Sequence, residues 1–354
     1  MYSVTAIAPV RATTALPKGT GLRMLVASYS SYSTSMAPAI GLCQRNNNNH
    51  VITKRNTRSI SSAKPKSAIK EFFPKVETKQ IIEVESGWRH PVYTEEQMKN
   101  IQIQHREVRN WSDWVALAMA RVLRWGMDTA TRYKHPVEGE KFGMTEKHWM
   151  NRILFLESVA GVPGMVAGML RHLRSLRTMK RDNGWIETLL EEAHNERMHL
   201  LTFMRIAQPG LFMRLMVLGA QGVYFNGLFL SYLVSPRTCH RFVGYLEEEA
   251  VITYTRIIEE IEAGNLPEWA QMDAPEIAVK YWDMPEGHRT MHDLMLYVRA
   301  DEAKHREVNH TLGNLNQKAD PNPYTAIFRD QSKPRPSKGV DLTKPTGWER
   351  EEVI

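Results

Sequence analysis

Two stretches of this 354-residue chain have a spacing that suits metal chemistry: Glu196-Arg197-Met198-His199 and Glu302-Ala303-Lys304-His305. On a helix, side chains three residues apart share one face, so a carboxylate and an imidazole written Glu-x-x-His can address one ion or help bridge a pair. One such stretch is weak evidence, since Glu191 with His194 and Glu307 with His310 have the same spacing. Helical phase separates them. Around Glu196 the apolar stripe runs through Ile186, Leu189, Leu190, Ala193 and Leu200, and at about 100° per residue Glu196 falls inside it while Glu191 falls nearly opposite. In the second stretch Met291, Leu294, Met295 and Val298 lead into Glu302 and His305. Glu307 sits in phase with Lys304 and Ala300, so that pair, like Glu191 with His194, is expected to be solvated.

Two more acids stand out by their surroundings. Glu157 is the sole charge between Ile153 and Leu170, and a buried carboxylate without a partner is costly enough to imply a cation. Within Leu246-Glu247-Glu248-Glu249-Ala250, the helical neighbours of Glu247 are Val243, Ala250, Val251 and Tyr254. Glu247 is therefore the inward member of the triplet, with Glu248 and Glu249 turned elsewhere. In chain order the set reads Glu, Glu-x-x-His, Glu, Glu-x-x-His, which is the donor set of a di-iron or di-manganese site in an all-α, ferritin-like four-helix bundle. Carboxylates can bridge two hard ions and offset their charge, while imidazoles complete the coordination and leave positions open for dioxygen.

The helices that must carry these residues are legible from apolar periodicity: one capped by Ser112 and running through Leu123, then Lys147–Leu176, Trp185–Ile206, Leu211–Val234, Thr238–Glu262 and His288–Leu312. Leu215–Val234 has no charge and Ile153–Leu170 has one, so a length rule reads both as membrane spans. The shared site opposes that, because two spans would leave Glu196 and His199 on one side of the membrane and Glu247, Glu302 and His305 on the other. The helices beginning near Lys147 and Leu211 are instead expected to lie along one leaflet, with Arg171, Arg174, Arg177 and Arg214 at headgroup level. Packing in the protein core or against a second copy is the alternative for such apolar helices.

The net charge of +7 is a property of one end. Residues 1–70 hold ten Lys or Arg and no acid, which leaves 36 basic against 39 acidic residues over 71–354. A nucleic-acid partner is therefore not implied. The Ser-, Thr- and Arg-rich stretch 1–62 has the composition of a mitochondrial transit peptide. An N-terminal arm (63–110), the helical bundle (111–316) and a Pro-containing tail (317–354), expected to be extended and surface-lying, complete the division. Only Cys43 and Cys239 occur, which excludes a disulfide scaffold and a cysteine-based metal site.

At Leu156-Glu157-Ser158-Val159-Ala160, Asn195-Glu196-Arg197-Met198-His199-Leu200, Leu246-Glu247-Glu248-Glu249-Ala250 and Arg299-Ala300-Asp301-Glu302-Ala303-Lys304-His305 the chain resembles the mitochondrial alternative oxidases over about residues 100–315. The resemblance implies a non-haem di-iron ubiquinol oxidase of the cyanide-insensitive type. Such an enzyme lies on the matrix-side leaflet of the mitochondrial inner membrane, usually as a homodimer, and reduces dioxygen to water without pumping protons. It implies Glu157, Glu196, His199, Glu247, Glu302 and His305 as ligands of two iron ions, Tyr254 as a redox-active tyrosine, and Arg124, Arg152, Leu156, Ala250 and Thr253 as a quinol pocket. It further makes Asn195, Asp301 and Trp282 candidates for orienting the ligands. Ser158 stands where Thr is common in the family. Residues 63–238 lack cysteine, so the thiol control of plant members has no group to act through, and the chain is closer to fungal members. Another di-iron quinone enzyme, such as a plastoquinol oxidase or a hydroxylase of a quinone precursor, and a ferritin-like iron-binding protein are the competing readings.

Overall fold

The structure, a computed structural model, describes residues 88–131, 133, 143–330, 332–341 and 343–354. The expected transit peptide, 1–62, and the arm as far as residue 87 lie outside the described residues. The elements, in order, are α1 (Glu95–Lys99), α2 (Trp111–Thr131), α3 (Glu146–Ala160), α4 (Val162–Thr178), α5 (Trp185–Ile206), α6 (Leu211–Val234), α7 (Pro236–Glu262), α8 (Pro267–Ala270), α9 (Glu276–Tyr281), α10 (Met291–Asn314) and α11 (Arg350–Val353). No strand occurs among the described residues, only an isolated bridge between Asp273 and Thr290. The all-α expectation holds.

Local chemistry sets the helix ends. Asn110, not Ser112, caps α2: its Oδ1 accepts from the Asp113 backbone N–H at 3.0 Å, while the Ser112 hydroxyl meets Thr238 Oγ1 at 2.8 Å. Pro236 opens α7 at a position where a missing N–H costs nothing, behind a Ser235 hydroxyl that accepts from Thr238 N–H. Thr290 and Asp293 form a reciprocal capping box at the start of α10. The helix expected over Lys147–Leu176 is two helices, divided at Gly161, because Pro163 has no N–H for the carbonyl four residues back. At Gly164 a Cβ would sit 2.5 Å from the Leu189 carbonyl oxygen. Glycine there lets α4 lie against α5 more closely than any other residue would allow.

The bundle pairs α3 and α4 with α5, and α7 with α10, the most extensive contact of all, while α2 covers α7. Two apolar clusters occupy opposite ends of these helices. One takes Leu200 and Phe203 of α5, Val251 to Ile261 of α7 and Met291 to Ala303 of α10; the other takes Trp185 and Leu189, Cys239 to Leu246, and Val308 to Leu312 of the same three helices. The polar residues singled out above fall between the two clusters, midway along the bundle, where apolar packing on either side keeps water out.

Helix α6 is the odd element. Two helical stretches, Glu146–Thr178 and Leu211–Val234, are long and apolar enough to cross a membrane by length and composition, but half of the first is buried in protein and only about a tenth of the second. Leu211, Phe212, Leu215, Leu218, Val223 and Leu230 of α6 are all exposed. Arg171 does not join Arg177 and Arg214 at the exposed surface. It is buried, bonded to Asp182 at 2.9 Å and stacked over the Trp185 ring.

The tail departs from the expected surface run. It is irregular over most of 317–349, yet Tyr324, Val340, Trp348 and Val353 are buried, Trp348 N–H donates to Thr311 Oγ1 at 2.9 Å, and Arg350 forks onto Asp320. Such anchors are too irregularly spaced to show periodicity. With the arm they enclose α10, in which every residue from Leu294 to Gly313 is buried.

Candidate metal centre

Six side chains from four helices converge between the two apolar clusters: Glu157 from α3, Glu196 and His199 from α5, Glu247 from α7, and Glu302 and His305 from α10. They form two groups, Glu157 with Glu196, His199 and Glu302, and Glu196 with Glu247, Glu302 and His305, and in each group one candidate ligand atom per residue lies within 4.8 Å of the others. Glu196 and Glu302 belong to both. This is the relation that two neighbouring cations with shared carboxylate bridges require.

Several of the atoms facing the middle lack a well-directed hydrogen bond. Glu157 Oε2, Glu196 Oε2 and the Nδ1 atom of His199 are buried without one, and His305 Nδ1 meets Glu196 Oε1 at 2.7 Å as an ion-pair contact whose angle does not suit a hydrogen bond. His199 Nδ1 sits 3.4 Å from Glu157, 3.5 Å from Glu196 and 3.4 Å from Glu302. Buried polar atoms are rarely left so. The electrostatics agree: burial pushes Glu157 up to about 8 and Glu247 well above the carboxylate range, the latter further raised by Glu302 and Glu196. Burial works against a charge on His199 and His305, yet Glu196 and the neighbouring hydrogen bonds raise both well above the imidazole range. The pocket thus draws in protons as positive charge, and a cation would supply that charge directly. Oxygen and imidazole nitrogen donors with no sulfur fit a hard or borderline ion such as iron or manganese.

Around this cluster the flanking groups are tied down. Asp301 Oδ2 accepts from His199 Nε2, Asn195 Nδ2 and Trp282 Nε1 at 3.0, 3.0 and 2.9 Å, so the three residues expected to orient the ligands meet at one atom. Burial would raise the pKa of Asp301, but His90 and the hydrogen bonds from His199 and His90 hold it well below its ordinary value. Tyr254 donates to Glu157 Oε1 and stacks near Phe203.

Residues 93–314 match the family model described as alternative oxidase. The chain is 64% identical to a mitochondrial alternative oxidase of Aspergillus niger and 62% identical to one of Emericella nidulans, in both cases over the full length of each chain. Against one from Ajellomyces capsulatus it is 63% identical over 86% of this chain and 88% of that protein. The chain belongs to the alternative oxidase family. Membership does not favour a ferritin-like iron binder or another di-iron quinone enzyme.

Of the five residues expected at a quinol pocket, Arg124, Arg152 and Thr253 fall in one polar network. Arg124 bonds Asp128 at 2.8 Å and Glu249 at 2.7 Å and approaches Thr253 Oγ1 at 3.5 Å; Arg152 bonds the other oxygen of Asp128 at 2.5 Å and stacks over Tyr133. Leu156 and Ala250 are half-buried on α3 and α7, with no polar role of their own.

The expectation for Glu307 and His310 is overturned: both are fully buried. A phase argument assumes one solvent face, and α10 has none over this stretch. Glu191 is half-buried and pairs with Lys338 of the tail, and His194 is half-buried too. Sequence reasoning also passed over Glu192, His90 and Tyr93. Glu192 lies one turn before Glu196, buried, with both oxygens on Asn309 Nδ2, and burial pushes it up to about 7; its i, i+4 relation to Glu196 was a usable signal. His90 and Tyr93 precede α1 in irregular chain, where no periodicity marks them.

Proposed function

We propose that the chain oxidises ubiquinol and reduces dioxygen to water at a centre of two iron ions held by Glu157, Glu196, His199, Glu247, Glu302 and His305. The pair of four-residue groups sharing Glu196 and Glu302 carries this reading, within the family identified above. The iron pair, when bound, supplies dioxygen binding and electron storage. Two quinols release four electrons and four protons, and dioxygen takes up both in forming two waters, so no proton need cross a membrane.

The side chains have separable tasks. Arg124, Arg152 and Thr253 hold a quinol ring by its oxygens, and Leu156 and Ala250 give the pocket apolar sides. Tyr254 keeps its phenolic hydrogen on Glu157, and burial followed by the Glu157 charge raises its pKa well above the ordinary value. It therefore acts as a neutral phenol and serves as a one-electron donor beside the metals.

We assign the chain to the matrix-side leaflet of the mitochondrial inner membrane, after removal of residues 1–62, as a homodimer. A cluster drawn from α3, α5, α7 and α10 supports attachment without crossing, since two crossings would divide its ligands. The exposed apolar side chains of α6 supply the lipid-facing surface, and the exposed Arg177 and Arg214 are the basic groups offered to lipid headgroups.

The test is metal analysis with oxygen uptake on a soluble quinol. Two irons per chain and iron-dependent uptake are expected; turnover in iron-free protein would overturn the reading. Tyr254→Phe should keep its iron while quinol-dependent oxygen uptake collapses, and near-normal turnover would remove the electron-donor role.

A further inference from the structure

The segment just ahead of α1 reaches the metal cluster through the second oxygen of Asp301. While Oδ2 receives His199, Asn195 and Trp282, Oδ1 receives His90 Nε2 at 2.7 Å and the Tyr93 hydroxyl at 2.7 Å. The bonds close over 211 and 208 residues of sequence. Neither partner is adventitious surface: the His90 side chain is 3% exposed and Tyr93 is 5% exposed. The His90 ring stands edge-on to Tyr93 and Trp282 and tilted against Tyr281. An ionised carboxylate only accepts, so His90 presents Nε2–H to it.

A carboxylate can orient an imidazole only if its own plane is held. The terminal torsion of Asp is broad and roughly two-fold, so with Oδ1 free the group could swing about its Cβ–Cγ bond. The His199 ring, bonded through Nε2 to that carboxylate, would lose the aim of Nδ1 at Glu157, Glu196 and Glu302. Trp282 and Asn195 both act on Oδ2, the same atom as His199, and so leave this rotation weakly constrained. Donors on Oδ1 close it.

We propose that His90 and Tyr93 are positioning residues of the metal centre, which pin Asp301 from the N-terminal arm and thereby fix the ring of His199 toward its cation. His90 lies before the stretch that matches the family model, residues 93–314, so this support begins outside the four motif helices. The inference rests on His199 being a ligand, as proposed above.

Three variants of the full chain separate hydrogen bonding from packing. His90→Phe keeps a ring and loses the donor; His90→Gln loses the ring and keeps an N–H near the position of Nε2; Tyr93→Phe removes one hydroxyl. The readouts are iron per chain, the half-time of iron transfer to an excess of a ferrous chelator, and the thermal midpoint. His90→Phe is expected to release iron about tenfold faster than the parent, the low end of what loss of an outer hydrogen-bonding partner costs, since His90 acts on His199 through Asp301. Tyr93→Phe should show a smaller increase, and His90→Gln should stay within about threefold of the parent, in keeping with a retained donor. Parent-like release from His90→Phe overturns the proposal, as does equally fast release from His90→Phe and His90→Gln, which would make His90 a packing ring. A parent protein without iron would instead defeat the assignment of the centre itself, so the two failures are distinguishable.

Discussion

Helices α7 and α10 carry two buried polar clusters with nearly the same spelling. One joins Glu247 to Glu302-x-x-His305, the other joins Glu248 to Glu307-x-x-His310. In the first, carboxylate and imidazole atoms face one another with few well-directed hydrogen bonds, His305 Nδ1 meeting Glu196 Oε1 at 2.7 Å and His199 Nδ1 standing 3.4 to 3.5 Å from three carboxylates. In the second, both nitrogens of His310 are taken, Nε2 by Glu248 at 2.8 Å and Nδ1 by Arg241 at 2.8 Å. Arg241 is itself paired with Asp113 at 2.9 Å, and Glu248 also accepts from Arg106 N–H and His105. Glu307 Oε1 receives Lys304, Tyr324 and Trp348 at 3.0 to 3.1 Å. The second cluster contains its own positive charge in Arg241 and Lys304, whereas the first must obtain it from outside the chain. On the proposed reading, the Glu-x-x-His pair suited to a metal is the one from which the fold withholds a counter-charge.

The sharpest way to break this comparison is to delete adjacent acids. Glu247→Ala should lose iron and oxygen uptake together, by a factor of about a hundred or more in uptake if metal is the catalyst, since outer partners alone are worth 10–100-fold. Glu248→Ala should keep its iron but lower stability by about 3–5 kcal/mol, the scale of stripping one member from a buried charged network. Equal iron loss from both, measured by metal analysis, would erase the distinction.

Removing iron tests the same contrast without mutation. Chelation should lower the thermal midpoint of the parent protein and of Glu248→Ala, because a cation bound only by the folded state stabilises it by mass action. Glu247→Ala should show little further change. A midpoint indifferent to chelation in the parent would mean that the first cluster is as self-contained as the second.

A smaller effect should come from the tail. Trp348→Phe removes one of three donors to Glu307 and keeps most of the packing, so a loss of about 1 kcal/mol is expected in denaturant unfolding, with iron content unchanged. Loss of iron from this variant would show that the two clusters communicate.

The smallest is a pH effect at His240 of α7, which bonds Tyr232 and Asn309. Burial pushes His240 down to about 4, against weaker help from Asn309, so the folded protein keeps it neutral while the unfolded chain takes a proton below about 6.5. Its contribution is fully present above pH 6.5 and declines as pH falls towards 4. Between those values the midpoint of iron-free His240→Gln should fall less than that of the parent. Parallel declines would place the acid sensitivity elsewhere.

What could be read from the chain depended on whether a residue's surroundings are local. Glu157, Glu196 and Glu247 stand in apolar helical phase, so their inward aim followed from neighbours three and four residues away, and the fold brings them together as expected. Glu307 and His310 could not be read that way. Their environment is made by Tyr324 and Trp348 of the tail and by Arg241 of α7, all distant in sequence. Arg171 is likewise a headgroup residue by local sequence alone, whereas Asp182 and Trp185 enclose it in the fold.

The sequence by itself determined the helical class, the four carboxylates and two histidines, their order, and the likeness to one oxidase family, because a 3.6-residue period and short spacings record which face each side chain shares. Only the tertiary structure decided that Glu196 and Glu302 are common to both groups, that the arm holds Asp301 through His90 and Tyr93, and that one Glu-x-x-His pair is satisfied while its near twin is not. Those facts depend on which distant side chain arrives with a charge or a hydrogen, and helical spacing carries no record of that.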